Sequence, residues 1–132
     1  MNDQLRTQVR QRANDRCEYC HMPQPGTVLP HEVDHIRSQK HGGLSSLENL
    51  CWACALCNSF KGTDVAAFPP GLNAVVPLFN PRSDDWRDHF SWDEAVVRSK
   101  TPVGAATIEL LRINQPERID HRRLLMQFGM WR

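Results

Sequence analysis

A chain of 132 residues with 16 Lys and Arg against 15 Asp and Glu carries a formal charge of +1, too little to draw a polyanion globally, so any nucleic-acid contact must rest on locally clustered basic side chains. The length suits a single domain, 1–132, and with 40% hydrophobic residues and a mean hydropathy of −0.53 the core should be modest enough for a metal staple to matter. No apolar run approaches the roughly 18 residues of a membrane span and the start MNDQLRTQVRQR has no signal-peptide stretch, so a soluble cytoplasmic protein without a membrane partner is expected, its five cysteines reduced.

Residues 3–13 place Leu5, Val9 and Ala13 at i, i+4 and i+8, a narrow stripe that predicts a short helix with Arg6, Arg10 and Arg12 on its other faces. The segment 22–30 holds three prolines and a glycine, which suits a turn and a short edge segment. His31 to Ile36 alternates around Val33 and reads as a strand, Gly42-Gly43 breaks the chain, and Asn49 to Trp52 reads as the returning strand. A helix should begin near Cys54–Cys57 and run through Lys61, with Gly62 at its end. Beyond it, residues 68–83 carry four prolines and predict an extended loop; Trp86, Phe90 and Trp92 read as anchors onto a core. A strand over 95–98, a helix over 105–113 and a last helix from Glu117 to Phe128, with Pro116 at its first position and Ile119, Leu124, Leu125 and Phe128 as a packing stripe, complete the reading. The fold class is α+β.

Two C-x2-C pairs, Cys17/Cys20 and Cys54/Cys57, are separated by 33 residues. Thiolates two residues apart can both reach one ion from a tight turn, and four of them make the closed tetrahedral site of a structural zinc. Cys51-x2-Cys54 has the same spacing, so spacing alone leaves the ligand set open; beside Trp52 in a strand, Cys51 suits a buried packing role. A site closed by four thiolates has no position for water, so chemistry needs a second ion.

Asp34, His35 and Asn58 supply what such a centre requires. A carboxylate and an amide oxygen are hard ligands for Mg²⁺ or Mn²⁺, and two protein groups leave positions free for phosphate and water. Imidazole titrates near neutral pH and can accept a proton from water. The expectation is that Asp34 binds the ion and His35 activates water for phosphodiester hydrolysis. Neighbours on a strand point to opposite faces, so something must wrap the strand for both to serve one centre.

His35, Asn49 and Asn58, fourteen and then nine residues apart, together with Asp34-His35-Ile36, Gly42-Gly43, Glu48-Asn49-Leu50, Cys54-x2-Cys57-Asn58 and Lys61-Gly62, resemble the HNH endonuclease signature with Asn in the third place, over roughly residues 14–64. The resemblance implies a ββα-metal core with an N-terminal helix and a mixed, mostly helical C-terminal extension over 65–132, similar to a stand-alone bacterial, zinc-bearing type. It implies His35 as general base, Asp34 and Asn58 as ligands of the catalytic ion, Asn49 as the pin of the inter-strand loop, and Cys54 and Cys57 rather than Cys51 as zinc ligands beside Cys17 and Cys20. It further implies double-stranded DNA as substrate, met from the minor groove with mostly backbone contacts. Arg37 and Lys61 flank the site as candidates for phosphate contact, Glu32 could orient a ligand, and Arg118, Arg122 and Arg123 read as a solvated face or as further phosphate contacts. The rival is a non-catalytic zinc-stabilised module that binds nucleic acid, for which Asp34, His35 and Asn58 would be superfluous. A zinc deaminase needs His-x-Glu and Pro-Cys-x-x-Cys; Ala53 precedes Cys54 and no His-x-Glu occurs.

Overall fold

The computed structural model describes residues 2–131, which form two compact units that divide between Asp64 and Val65. In the first, helix α1 (Asp3–Arg12) starts where the Asn2 side chain accepts the Leu5 N–H at 2.7 Å, with Asp3 in its first turn and Arg10 and Arg12 in its last, each sign favourable to the helix dipole. Its stripe buries Val9 against Leu50 and Trp52, with Leu5, Ala13, Val33 and Leu47 packed around them. Strands β1 (Glu32–His35) and β2 (Leu50–Ala53) pair antiparallel, Asp34 opposite Cys51 and His35 opposite Leu50. β2 is buried along its whole length. Helix α2 (Ala55–Lys61) follows directly, its N-cap being Cys54, whose sulfur accepts the Cys57 N–H at 3.4 Å.

The second unit contains a two-residue ladder of β3 (Ala66–Ala67) with β4 (Val76–Pro77), a one-turn helix α3 (Trp86–His89), a hairpin of β5 (Phe90–Asp93) and β6 (Val96–Ser99), and helices α4 (Pro102–Leu110) and α5 (Pro116–Gln127). Among the described residues no helix is long and apolar enough to cross a membrane. Trp86, Phe90 and Trp92 are ring-packed as expected, Trp86 stacking on Trp92 at 5.5 Å and Phe90 meeting Phe79 edge-on at 5.4 Å. Phe90 and Trp92 belong to β5, where they alternate with exposed Ser91 and Asp93. Helix α4 starts three residues before the predicted 105, because Thr101 accepts the Gly104 N–H at 3.1 Å and Pro102 occupies the first turn. It ends at Leu110, and Arg112 turns to φ +51.

The packing face of α5 differs from the expected stripe. Leu125 is buried, but Leu124 and Phe128 are 51% and 72% exposed, while Arg118 and Arg122 are buried. Arg118 Nη1 donates to the Leu111 carbonyl at 2.7 Å, and Arg122 donates from Nε to the Ala95 carbonyl at 2.7 Å and from Nη1 to that of Ile113 at 2.9 Å. Their stems supply apolar area and their guanidiniums satisfy carbonyls that no helix or strand bond uses. Arg122→Met, which keeps most of the stem but orphans those carbonyls, should lower unfolding stability by about 3 kcal/mol; urea denaturation with an unchanged midpoint would remove this role.

Candidate functional site

The first C-x2-C turn is delivered to the second by backbone pairing along β2. Glu18 N–H donates to the Trp52 carbonyl at 2.8 Å, Trp52 N–H donates to Glu18 Oε2 at 2.7 Å, and the Trp52 indole donates to Asp15 Oδ1 at 3.0 Å. The turn itself closes through Cys17 N–H to the Met22 carbonyl and His21 N–H to the Cys17 carbonyl, with His21 in the left-handed region. The four side chains of Cys17, Cys20, Cys54 and Cys57 are buried, with their sulfurs within 4.8 Å of one another. Sulfurs on a tetrahedral zinc stand about 3.8 Å apart for Zn–S bonds of about 2.3 Å, and Cys20 Sγ lies 3.7 Å from Cys54 Sγ. Cys20 N–H also donates to Cys17 Sγ at 3.5 Å, matching the Cys57 bond to Cys54, an arrangement suited to negative sulfurs. Burial pushes the Cys17 and Cys57 thiols up, so a cation that binds here does so by releasing protons. The donor set therefore fits a closed structural zinc. Cys51 is outside it: its sulfur is 3.6 Å from both Tyr19 Oη and Asp34 Oδ2.

Asp34 lies at the centre of a buried polar nest. Only 5% exposed, it accepts the Tyr19 hydroxyl at 3.0 Å and stands 3.3 Å from Lys61 Nζ, itself 2% exposed. Burial raises its carboxyl above the ordinary range, opposed by the Lys61 charge and the Tyr19 bond. Burial also pushes the Tyr19 hydroxyl and the Cys51 thiol up, keeping both protonated as donors. Lys61, expected at a phosphate, instead pairs with Asp34 and donates to the His35 carbonyl at 3.2 Å. The last turn of α2, packed on β1, directs the ammonium inward, where a buried carboxylate offers a partner.

Asn49 clamps the loop between the strands. Asn49 accepts the Arg37 N–H at 2.9 Å and donates to the carbonyls of Arg37 at 2.8 Å and Leu44 at 2.9 Å. Gly43 permits this closeness: a Cβ there would lie 1.8 Å from the Arg37 carbonyl oxygen and 2.8 Å from Asn49 Nδ2. The loop wraps the end of β1, so that His35 Nε2 lies 2.9 Å from Ser45 Oγ. Arg37 is exposed, its Nε donating to the His41 carbonyl at 2.7 Å. On α2, Asn58 donates its amide N–H to Glu32 Oε2 at 2.8 Å, which turns its amide oxygen away from Glu32 and leaves it free to ligate. Glu32, Asp34 and Asn58 carry oxygen donors, the hard type that Mg²⁺ and Mn²⁺ prefer. Among the described residues no hydrogen bond or ion pair joins the side chains of Asp34, His35 and Asn58 to one another; each is held by its own partner. Tyr19 and Ser45 carry no motif that would mark them from sequence, since their roles come from contacts across the chain.

The first unit is thus a β-hairpin and a helix braced by a four-cysteine cluster, with Asp34, His35 and Asn58 displayed on the hairpin and the helix. Residues 17–64 match the family model described as HNH endonuclease, which identifies this hairpin–helix unit as an HNH domain. The chain is also 25% identical over 116 residues to the Septu protein PtuB of Bacillus thuringiensis, an alignment spanning 86% of this chain and 42% of that protein. No solved structure matches.

The purified protein should hold one zinc per chain by elemental analysis. Cys57→Ser should lose it and with it stability on the order of 10 kcal/mol, leaving the unit unfolded by circular dichroism, whereas Cys51→Ser should keep the metal. Zinc loss on Cys51→Ser would reassign the ligands.

Proposed function

We propose that the HNH unit is a metal-dependent endonuclease that hydrolyses DNA phosphodiester bonds. The observation that carries this reading is the display of Asp34, His35 and Asn58 by one hairpin and helix, beside a thiol cluster that is closed to chemistry. His35 accepts a proton from water, the water oxygen attacks phosphorus, and the bond to the 3′ oxygen breaks with its electron pair passing to that oxygen. The products carry 5′-phosphate and 3′-hydroxyl ends. A divalent Mg²⁺ or Mn²⁺ held by Asp34 and Asn58 would supply charge neutralisation at the phosphate and the leaving oxygen. Glu32 orients the Asn58 amide, and Asn49 holds the loop that brings His35 its partner. Arg37, exposed beside the site, suits backbone phosphate, a contact that gives affinity without choosing sequence. Double-stranded DNA is the leading substrate, and nicking by one copy of the domain is the simplest mode. A reducing, cytoplasmic setting suits cysteines kept for a metal rather than for disulfides.

Supercoiled plasmid incubated with Mg²⁺ or Mn²⁺ should be nicked, and His35→Ala should slow cleavage by about 10² to 10⁴-fold while still retarding DNA in a gel. A wild-type protein that retards plasmid and leaves it intact with either ion would instead be a zinc-stabilised binding module.

A further inference from the structure

The geometry points to Ser45, seated by Gln39, as the positioning residue of His35: it engages Nε2 and leaves Nδ1 as the ring nitrogen that faces water. This rests on the proposed role of His35 as base. Ser45 Oγ lies 2.9 Å from His35 Nε2 and accepts a second bond, from Gln39 Nε2, at 3.3 Å. A serine hydroxyl offers two lone pairs and one proton. Gln39 fills one lone pair, and in the tautomer assigned here Nε2–H donates into the other, leaving the hydroxyl proton to solvent, to which Ser45 is exposed. A nitrogen engaged by Ser45 cannot also meet a water molecule, so the basic position is Nδ1, the atom that carries the lone pair in this tautomer.

The arrangement serves both halves of a proton transfer. When Nδ1 gains a proton, the Nε2–H bond to Ser45 becomes charge-assisted and shorter; when the proton leaves, the ring returns to the same tautomer without rotating. Asn49 reaches Ser45 indirectly, since it grips the carbonyl of Leu44, the preceding residue. The loop clamp therefore places the hydroxyl, and the hydroxyl aims the imidazole.

Two-bond proton–nitrogen correlation spectra of the full chain labelled at histidine, recorded above the titration of the ring, should show His35 protonated at Nε2. Ser45→Ala should give a mixture of tautomers, Ser45→Thr should restore the single form, and Gln39→Ala should partly release it. In plasmid cleavage Ser45→Ala should lower kcat by about 10- to 100-fold with KM unchanged, and Ser45→Thr should recover most of it. A wild-type ring protonated at Nδ1, or one whose tautomer is the same in Ser45→Ala and Gln39→Ala, overturns the assignment. Should the tautomers follow expectation while the wild type cuts no DNA, the Ser45 contact stands and the nuclease reading falls.

Discussion

The closure of two thiol turns on one another is the constraint from which the rest of the HNH unit follows. Its apolar cluster is small, centred on Val9, Leu50 and Trp52, and α2 has only seven residues, too few to hold together as an isolated helix. What keeps α2 in place is that its cap is Cys54 and its first turn contains Cys57, both facing the Cys17–Cys20 turn that Glu18 and Asp15 dock onto β2. Asn58 and Lys61 ride on that helix, so the position of both depends on a cluster that itself performs no chemistry.

Around this brace, charge is managed locally. Burying the Asp34 carboxylate costs solvation, and the Lys61 ammonium, the Tyr19 hydroxyl and the Cys51 thiol return part of it. A chain with nearly balanced charge can therefore hold a carboxylate at the base of a site without a strongly basic surface. The same economy appears in the second unit, where Arg118 and Arg122 spend their donors on backbone carbonyls.

What could be read from sequence was what metal chemistry restricts. Thiol pairs at fixed spacing and the Asp34-His35, Asn49 and Asn58 pattern mark themselves because few other residue types could serve, and the hairpin and α2 follow from them. The inward turn of Lys61 has no local signal, since lysine is ordinarily solvated and its partner lies 27 residues away; Tyr19 and Ser45 have none because a hydroxyl has no spacing rule. The arginine face of α5 escaped because polarity patterns count arginine as outward, although its stem packs like an aliphatic chain. The strand β5 is masked by its shortness, since only Ser91 and Asp93 alternate with its two aromatics. In each case the missing information was a long-range contact rather than a local preference.

The Asn49 clamp has a further consequence. Every atom it grips is main chain, so the segment it closes is recognised by its path and not by its letters. Apart from Gly42, which is held at φ +83, Gly43, which must lack a side chain, and the pair that supports the imidazole, the exposed positions Lys40, His41 and Leu44 are open to substitution and are the natural places for variants of this domain to diverge, or for an engineer to graft new contacts without disturbing His35.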